Sequence, residues 1–288
     1  MNQDLSRVTT VSAAMQQAAL AYRAAGRKIG VVPTMGALHD GHLALIRRAR
    51  DLADVVVTTI FVNPLQFGKS EDLSRYPRNL DKDVQLATAA GSDLIFAPPE
   101  NDVYPAGFST HVEVEGVTEP LEGRSRPGHF RGVTTIVAKL LQIVQPHVAV
   151  FGQKDAQQVV VVKKMVRDLC FPVEIVIVPT VREPDGLALS SRNVYLSPSQ
   201  RSEAPVLYQA LQLGERLLRG GERSCDAVRR KMRDLITSRS SGEIDYVSIA
   251  NGLNLQEATE ADPGHPFLLS LAVRFGSTRL IDNIPVRL

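Results

Sequence analysis

The sequence predicts an α/β protein with a doubly wound parallel sheet, followed by a smaller α+β domain with an antiparallel sheet. Short β-branched apolar runs alternate with helical patterns through the first two-thirds of the 288-residue chain. Such alternation is typical of a parallel sheet covered by helices on both faces. After residue 180 the alternation ends, and two helical stretches precede three strand patterns. The hydrophobic content of 44% is sufficient for a sizeable core.

The elements of the first part follow from their apolar periodicity. Near-continuous apolar runs predict buried parallel strands at 29–32, 54–62, 93–97, 147–151 and 173–178. Apolar residues at helical spacing predict helices near 12–25, 42–52, 80–90, 132–145 and 155–169. A polar stretch at 68–82 contains Pro77 and predicts a long loop of the kind that often acts as a lid. In such sheets ligands bind at the carboxyl ends of strands, where the strand order reverses.

The last third of the chain predicts a separate, smaller domain. Helices are expected near 199–219 and 224–238, and strands at 244–249, 267–273 and 278–282. Strands that follow one another after a pair of helices favour an antiparallel sheet. We therefore expect a Rossmann-like domain at 1–180 and a smaller α+β domain at 181–288.

The composition narrows the possible functions. The 33 basic and 31 acidic residues give a formal net charge of +2, which is too weak a field for general nucleic-acid binding. Cys170 and Cys225 lack the spacing of a zinc site or a disulfide framework, and are expected as free thiols in a reducing compartment. The first seven residues carry no signal pattern, and no uncharged apolar stretch is long enough to span a bilayer. The sequence predicts a cytoplasmic protein that binds neither nucleic acid nor membranes.

Two histidines, His39 and His42, lie where the apolar run at 29–32 gives way to a helical pattern. The unpaired N–H groups and the positive dipole end of a helix N-terminus favour an anion such as phosphate, and imidazoles can add donors or a proton. Gly41 leaves room for a flat base against the backbone. The pattern indicates a nucleotide site, although an isolated His-x-x-His is also compatible with ordinary cap and surface residues.

Three more polar clusters favour the nucleotide interpretation. FVNPLQFG at 61–68 and FGQKDAQQ at 151–158 each overlap or follow the end of a predicted strand, and LSSRN lies at 189–193. Lys154 can neutralise phosphate charge, and Asp155 can hold Mg²⁺, the cation that usually accompanies nucleotide triphosphates. The hydroxyls and the guanidinium of the third cluster suit phosphate oxygens. Taken singly, these clusters are also compatible with a surface ion pair at a helix start and with a polar turn.

In this order the clusters resemble the pantoate–β-alanine ligases of the HxGH nucleotidyltransferase superfamily. The resemblance covers most of the first two-thirds of the chain, through PTMGALHDGH, FVNPLQFG, EDLSRYPR, RPGHFRGV, FGQKDAQQ and VREPDGLALSSRN. HxGH alone does not select a substrate, whereas FVNPxQF and FGxKDxQQ together with it are specific to this family. The family commonly has Met directly before the Ser-Ser-Arg element. This chain has Leu189, whose similar volume and apolarity should preserve an adenine-facing contact.

The resemblance implies an ATP-dependent condensation of pantoate with β-alanine to pantothenate, through a pantoyl adenylate and with release of AMP and pyrophosphate. It implies ATP as a substrate, Mg²⁺ as the metal and a homodimer, with pantoate, β-alanine and ATP as the small-molecule partners. It also implies that the domain at 1–180 binds ATP and pantoate, and that the domain at 181–288 closes over the ATP site. A closing loop at 68–82 would protect the adenylate from hydrolysis.

The resemblance assigns three catalytic residues. His42 would donate a proton and stabilise phosphate, His39 would be its partner on the triphosphate, and Lys154 would carry charge to the phosphates. Asp155 would serve Mg²⁺.

It also assigns the binding residues. The ATP-binding residues would be Met35, Gly36, Ala37, Leu38, His39, Asp40, Gly41, His42, Gly152, Gln153, Lys154, Asp155, Val181, Leu189, Ser190, Ser191 and Arg192. Gln66 and Gln158 would hold pantoate, and Asn63 and Tyr76 would lie near the β-alanine path. The basic cluster that receives no role consists of Arg124, Arg126, His129 and Arg131.

Two other functions stay open at this point. An enzyme of the same superfamily that acts on a phosphorylated acceptor would share HxGH and the Ser-Ser-Arg element, but the neutral amides of Gln66 and Gln158 suit a small hydroxy acid better than a phosphate dianion. A non-catalytic nucleotide-binding regulator would not need His42, Lys154 and Asp155 together, and turnover of ATP separates the two classes.

Overall fold

The computed structural model describes residues 7–68 and 73–288. The chain folds into two compact units. The first unit contains Met1–Glu115, Ser125–Gly152 and Val161–Val178, and the second contains Gly116–Arg124, Gln153–Val160 and Pro179–Leu288. The second unit therefore joins the C-terminal part of the chain to two short segments from earlier in the sequence.

The strands of the first unit are Val8–Thr9 (β1), Ile29–Thr34 (β2), Val55–Ile60 (β3), Leu94–Phe96 (β4), Val148–Gly152 (β5) and Glu174–Val178 (β6). They form one parallel sheet in the order β1-β4-β3-β2-β5-β6. The chain runs outward from β2 to β3 and β4, and then continues with β5 and β6 on the other side of β2, so the order reverses between β2 and β5. The HxGH segment directly follows β2, and the segment that contains Lys154 directly follows β5.

In chain order the helices are Ser12–Ala24 (α1), Asp40–Leu52 (α2), Leu80–Ala90 (α3), Glu100–Val103 (α4), Glu122–Ser125 (α5), His129–Val144 (α6), Ala156–Asp168 (α7), Pro198–Glu203 (α8), Val206–Arg219 (α9) and Cys225–Arg239 (α10). In the first unit α1 packs against α6 and α2 against α3, and α1, α2 and α6 contact the sheet. Ile46 and Ala49 of α2 are fully buried in the same apolar cluster as Val32 and Val56. Because β2 and β3 are buried almost throughout, their sequences show continuous apolar runs rather than alternation. The predicted doubly wound domain is confirmed.

The second unit contains the antiparallel sheet. Its strands are Glu243–Asn251 (β7), Phe267–Phe275 (β8) and Thr278–Val286 (β9), in the order β7-β8-β9. α9 and α10 pack against each other and against this sheet. Leu211, Met232 and Leu269 are fully buried in the resulting core. The predicted smaller α+β fold is confirmed as well.

The prediction of one continuous helix at 199–219 is wrong. This stretch forms two helices, α8 and α9, which are separated by Ala204 and Pro205. Pro205 has no N–H group, so the hydrogen bond to the carbonyl four residues earlier cannot form. Leu207 instead donates to the Ala204 carbonyl at 3.1 Å, and α9 begins after the proline.

The predicted loop at 68–82 lies partly outside the described residues, at 69–72. In the described part Leu73–Arg75 forms a 3-10 turn, and α3 already begins at Leu80. Asn79 caps α3 by accepting the Lys82 N–H at 3.1 Å, which ends the loop three residues earlier than predicted.

Cys170 is exposed, Cys225 is buried, and both are free thiols. Within residues 7–68 and 73–288, no helix has the length and apolar character that crossing a bilayer requires.

Candidate functional site

The chain turns sharply between β2 and α2. Gly36 and Ala37 have positive φ angles of 82° and 51°. The buried carboxylate of Asp83, on α3, holds this turn, because its Oδ2 accepts the Ala37 N–H at 2.9 Å and its Oδ1 accepts the Leu38 N–H at 2.8 Å. A Cβ at Gly36 would lie 2.8 Å from Asp83 Oδ2, so both the space and the backbone angle require glycine. Asp83 was not anticipated from the sequence, since it lies 45 residues beyond Leu38.

The two histidines of the HxGH segment hold each other at the start of α2. Nδ1 of His39 accepts the Gly41 N–H at 3.2 Å, and the backbone N–H of His39 donates to Nδ1 of His42 at 3.3 Å. The ring centroids are 4.2 Å apart. Because each Nδ1 accepts a backbone N–H, the hydrogen-bond network assigns the proton of a neutral ring to Nε2. A Cβ at Gly41 would lie 2.8 Å from Cε1 of His39, so glycine also makes room for this ring.

A second group of predicted residues follows β3. Asn63 is only 1% exposed, and its Nδ2 donates to Gln66 Oε1 and to the Gly132 carbonyl, both at 3.1 Å. Its Oδ1 accepts the hydroxyl of Tyr104 at 2.8 Å. Nε2 of Gln66 lies 3.0 Å from Sδ of Met35. The first unit therefore brings Met35, Asn63 and Gln66 together.

Tyr104 is a member of this network that the sequence did not reveal. Burial raises the pKa of its hydroxyl far above the usual value, and the charge of Glu100 raises this pKa further. The hydroxyl thus stays protonated and remains a donor to Asn63 at every pH of interest. Tyr104 lies 41 residues beyond its partner, and no local pattern marks it.

Two residues of the unassigned basic cluster hold the backbone of Gln66. Nδ1 of His129 lies 2.8 Å from the Gln66 carbonyl, and since a carbonyl only accepts, this nitrogen carries the proton. Arg126 donates to Nε2 of His129 at 3.1 Å and to the same carbonyl at 3.3 Å. Arg124 and Arg131 are exposed.

Tyr76 is 8% exposed, and its ring packs edge to face against Phe67, with the centroids 5.9 Å apart. This contact places a predicted β-alanine residue beside the segment that carries Asn63 and Gln66.

In the second unit, a 3-10 turn at Gln153–Asp155 carries the predicted lysine. Asn283, on β9, donates from Nδ2 to the carbonyls of Gln153 and Lys154 at 3.0 and 2.8 Å. Its Oδ1 accepts Nε2 of Gln153 at 2.9 Å. Nζ of Lys154 lies 3.4 Å from Oδ1 of Asp155, whose carboxylate is exposed.

The first turn of α7, which carries Gln158, is anchored by its neighbour Gln157. Oε1 of Gln157 accepts the Glu122 N–H at 2.9 Å, and Nε2 donates to two carbonyls of the segment at 116–124. The Glu122 carboxylate accepts two hydrogen bonds from Arg279, at 2.6 and 2.8 Å, and the hydroxyl of Tyr246 at 2.9 Å. Burial and the adjacent carboxylate raise the pKa of Tyr246 well above its usual value. These contacts fix the helix start from which Gln158 projects.

Val181 and Leu189 are joined by a hydrogen bond from the Leu189 N–H to the Val181 carbonyl, at 3.0 Å. Between them, Arg182 forms a bidentate ion pair with Asp282 of β9, at 2.6 and 2.9 Å. Asp282 is 3% exposed, so the carboxylate of this pair is buried.

Ser190 begins the last predicted segment. Its Oγ accepts the Arg192 N–H at 3.3 Å, and this contact caps the 3-10 turn Ser191–Tyr195. The serine and arginine side chains therefore follow one another on a single tight turn.

The predicted site residues fall into two sets. The first unit contains 35–42, Asn63, Gln66, Tyr76 and Gly152, and the second contains 153–155, Gln158, Val181 and 189–192. The combination of the two sets in one ATP site stays a prediction.

Among the residues that the structure describes, no group of three or more His, Cys, Asp or Glu side chains could hold a metal ion. Mg²⁺ in nucleotide sites is commonly held by one or two carboxylates together with substrate phosphates and water. The exposed carboxylate of Asp155 fits that mode of binding.

Comparisons with known proteins agree on one family. The family model of pantoate-beta-alanine ligase matches residues 7–285. A pantothenate synthetase of Moorella thermoacetica is 56% identical over 272 residues, which are 94% of this chain and 95% of the relative. The crystal structure of pantothenate synthetase from Thermus thermophilus has 47% identity and a TM-score of 0.91, and the match covers 98% of this chain and 100% of that one.

A more distant structure was solved with ligands. The pantoate-beta-alanine ligase of Francisella tularensis, complexed with beta-gamma ATP and beta-alanine, has 34% identity and a TM-score of 0.79, with 96% of each chain covered. Identity at this level over almost the whole chain, together with the shared fold, leaves no other family to consider. The chain belongs to the pantoate–β-alanine ligase family.

Proposed function

We propose that this protein condenses pantoate with β-alanine to form pantothenate, and that ATP activates pantoate as a pantoyl adenylate. The observation that carries the proposal is the histidine pair at the start of α2, with each Nδ1 fixed by a backbone N–H. This arrangement directs proton donation to Nε2 of each ring, in the positive field of a helix N-terminus. Met35 links the same segment to the amide of Gln66, which suits a small hydroxy acid.

In the first step a carboxylate oxygen of pantoate attacks the α-phosphorus of ATP. The bond between this phosphorus and the oxygen that bridges to the β-phosphate breaks, and pyrophosphate leaves with the bonding electrons. Negative charge grows on the non-bridging oxygens and on pyrophosphate, so positioned donors and cations matter more than a protein nucleophile. We assign this stabilisation to His42, His39 and Lys154.

In the second step the neutral amine of β-alanine attacks the acyl carbon of the adenylate. The bond between this carbon and the phosphate oxygen breaks, AMP leaves with the bonding electrons, and the proton that the nitrogen loses passes to water as the amide forms. The resemblance assigns Asn63 and Tyr76 to the β-alanine path. Since the side chain of Asn63 already bonds Gln66, Gly132 and Tyr104, we propose that it acts mainly by orienting the Gln66 amide.

The remaining assignments complete the proposal. Gln66 and Gln158 hold pantoate, Asp155 serves Mg²⁺, which supplies positive charge at the phosphates, and 35–42, 152–155, Val181 and 189–192 bind ATP. Closure of the C-terminal part over the site and a homodimer remain predictions of the same resemblance, whereas a domain boundary at residue 180, a lid at 68–82 and a cytoplasmic location remain predictions of the sequence pattern and composition.

The identity of the nucleotide product tests the proposed function. Incubation with ATP, Mg²⁺ and pantoate should yield pyrophosphate and the pantoyl adenylate, and addition of β-alanine should then release AMP and give pantothenate. ADP and phosphate as main products would contradict adenylation. Turnover only with a phosphorylated acceptor would favour the other superfamily chemistry, and no turnover at all would favour a nucleotide-binding regulator.

A further inference from the structure

We propose that Asn283, on the last strand of the chain, is a positioning residue for Lys154. It acts by fixing the backbone of the turn from which the lysine projects. The inference rests on the proposed function, because it concerns the lysine assigned to the phosphates of ATP.

The side chain of Asn283 is committed to this turn. Both hydrogens of its Nδ2 are used, on the carbonyls of Gln153 and Lys154, and its Oδ1 accepts the side-chain amide of Gln153. Asn283 is 4% exposed, so these bonds form away from water. Three hydrogen bonds from one side chain to two adjacent residues define the position and the orientation of the turn.

A lysine needs such support more than most phosphate-binding groups. Its ammonium is a point charge on a flexible stem of four carbons, and the stem has no planar fork to orient it. The origin of the stem therefore has to be placed by the backbone. A misplacement of about 1 Å in a catalytic group can cost roughly 100-fold in rate.

Asn283 is itself held firmly. It is paired with Ser270 in the register of β8 and β9, and its N–H donates to Oδ1 of Asp282 at 2.7 Å. The buried carboxylate of Asp282 forms the ion pair with Arg182, next to Val181. Two adjacent residues of β9 thus anchor the turn of Lys154 and Arg182, the neighbour of Val181.

The chemistry at this position is specific to an amide. An aspartate in place of Asn283 would be nearly isosteric, but its carboxylate would face two carbonyl oxygens, and an alanine would leave those carbonyls without their donor. Either change weakens the turn, whereas a change at Ser270, which lies opposite on the sheet, removes only a buried hydroxyl that has no hydrogen-bond partner among the described residues.

The test is a double-mutant cycle that follows AMP formation from ATP, pantoate and β-alanine. We compare Asn283→Ala, Asn283→Asp and the control Ser270→Ala in the wild-type and the Lys154→Ala backgrounds. Asn283→Ala and Asn283→Asp should lower kcat by roughly 10- to 100-fold in the wild-type background, with little change in the KM for pantoate. In the Lys154→Ala background the further loss should be under about threefold, since the group that Asn283 positions is already absent. Ser270→Ala should keep the wild-type kcat.

Each of the other possible results would overturn the inference about Asn283. An equal loss in both backgrounds, or no loss in the wild-type background, would overturn the inference and leave the proposed function intact. Loss of cooperative thermal unfolding in both Asn283 variants would also overturn it, because the residue would then serve stability rather than positioning. A wild-type protein that makes no AMP would overturn the proposed function, and this inference with it.

Discussion

The histidine segment of the first unit and the lysine segment of the second are built by different means. The rings of His39 and His42 are held by bonds within a window of four residues at a helix start, with Asp83 fixing the turn before it. The turn of Lys154 is held by Asn283, a residue 129 positions further along the chain. The contacts of the two histidine rings therefore form with their own helix, whereas the turn of Lys154 requires the final strand to be in place. Two side-chain groups that are both assigned to the phosphates of ATP are thus positioned by different parts of the fold.

The largest expected effect is loss of either group assigned to the phosphates, the His42 ring or the Lys154 ammonium. His42→Ala and Lys154→Ala should each lower kcat by roughly 10²- to 10³-fold, the scale for removing one preorganised donor to a transition-state anion. Thermal unfolding should stay cooperative, since neither side chain belongs to an apolar core. Steady-state AMP formation measures the effect, and Lys163→Ala, an exposed lysine on α7, is the matched control. Near wild-type kcat in either variant would contradict the assigned role.

Asp83→Asn tests the longer-range support of the histidine segment. One of the two N–H groups that the carboxylate accepts would then face an NH₂ group, at a cost of about 1–3 kcal/mol for a buried unsatisfied group. We expect lower stability in thermal unfolding together with reduced kcat. Asp81→Asn is the control, because Asp81 is exposed in the same helix turn, where its interaction with the dipole is worth about 0.3–1 kcal/mol. Equal effects of the two variants would show that Asp83 supports only the helix.

Gln158→Ala asks whether the second unit contributes to pantoate binding. Loss of a partner for a buried carboxylate or hydroxyl of the substrate should cost about 1–3 kcal/mol, and it should raise the KM for pantoate far more than the KM for ATP. Gln142→Ala, at an exposed amide on α6, should change neither constant. A parallel rise in both constants would place Gln158 outside the pantoate site.

Which features can be predicted from the sequence depends on whether the interacting residues are near or distant along the chain. The strands, most helices and the His-x-x-His arrangement follow from periodicity and spacing over a few residues, and the structure confirms the fold. Asp83, Tyr104 and Asn283 went unnoticed because each acts on a partner at least 41 residues away, and no local pattern records such a contact. Pro205 marks the break between α8 and α9 in the sequence itself. The apolar periodicity continues across the proline, so a prediction from periodicity alone gives one helix.

The smallest expected effect concerns His147, which directly precedes β5 and contacts Ile29, the first residue of β2. Nδ1 of His147 accepts the Ile29 N–H at 3.0 Å, and burial, together with the charges of Arg23 and Lys28, lowers the pKa of this histidine below its usual value. The unfolded state therefore binds a proton at His147 more readily than the folded state. The contribution of this histidine to the free energy of unfolding should be fully present above about pH 6.5 and should decline as the pH falls.

Thermal unfolding between pH 5 and pH 8 measures this contribution. His147→Gln should flatten the pH dependence and leave kcat at pH 8 unchanged, since the residue lies at the amino end of β5, whereas the Lys154 segment follows the carboxyl end. An unchanged slope of stability against pH would contradict the assignment.

The exchange of labelled pyrophosphate into ATP tests the central claim most directly. If the protein forms a pantoyl adenylate, exchange should require pantoate and Mg²⁺, proceed without β-alanine, and fall by roughly 100-fold or more in Lys154→Ala. Slow release of pyrophosphate is controlled by trapping the bound adenylate in a single turnover. Absence of both exchange and trapped adenylate would contradict the two-step mechanism.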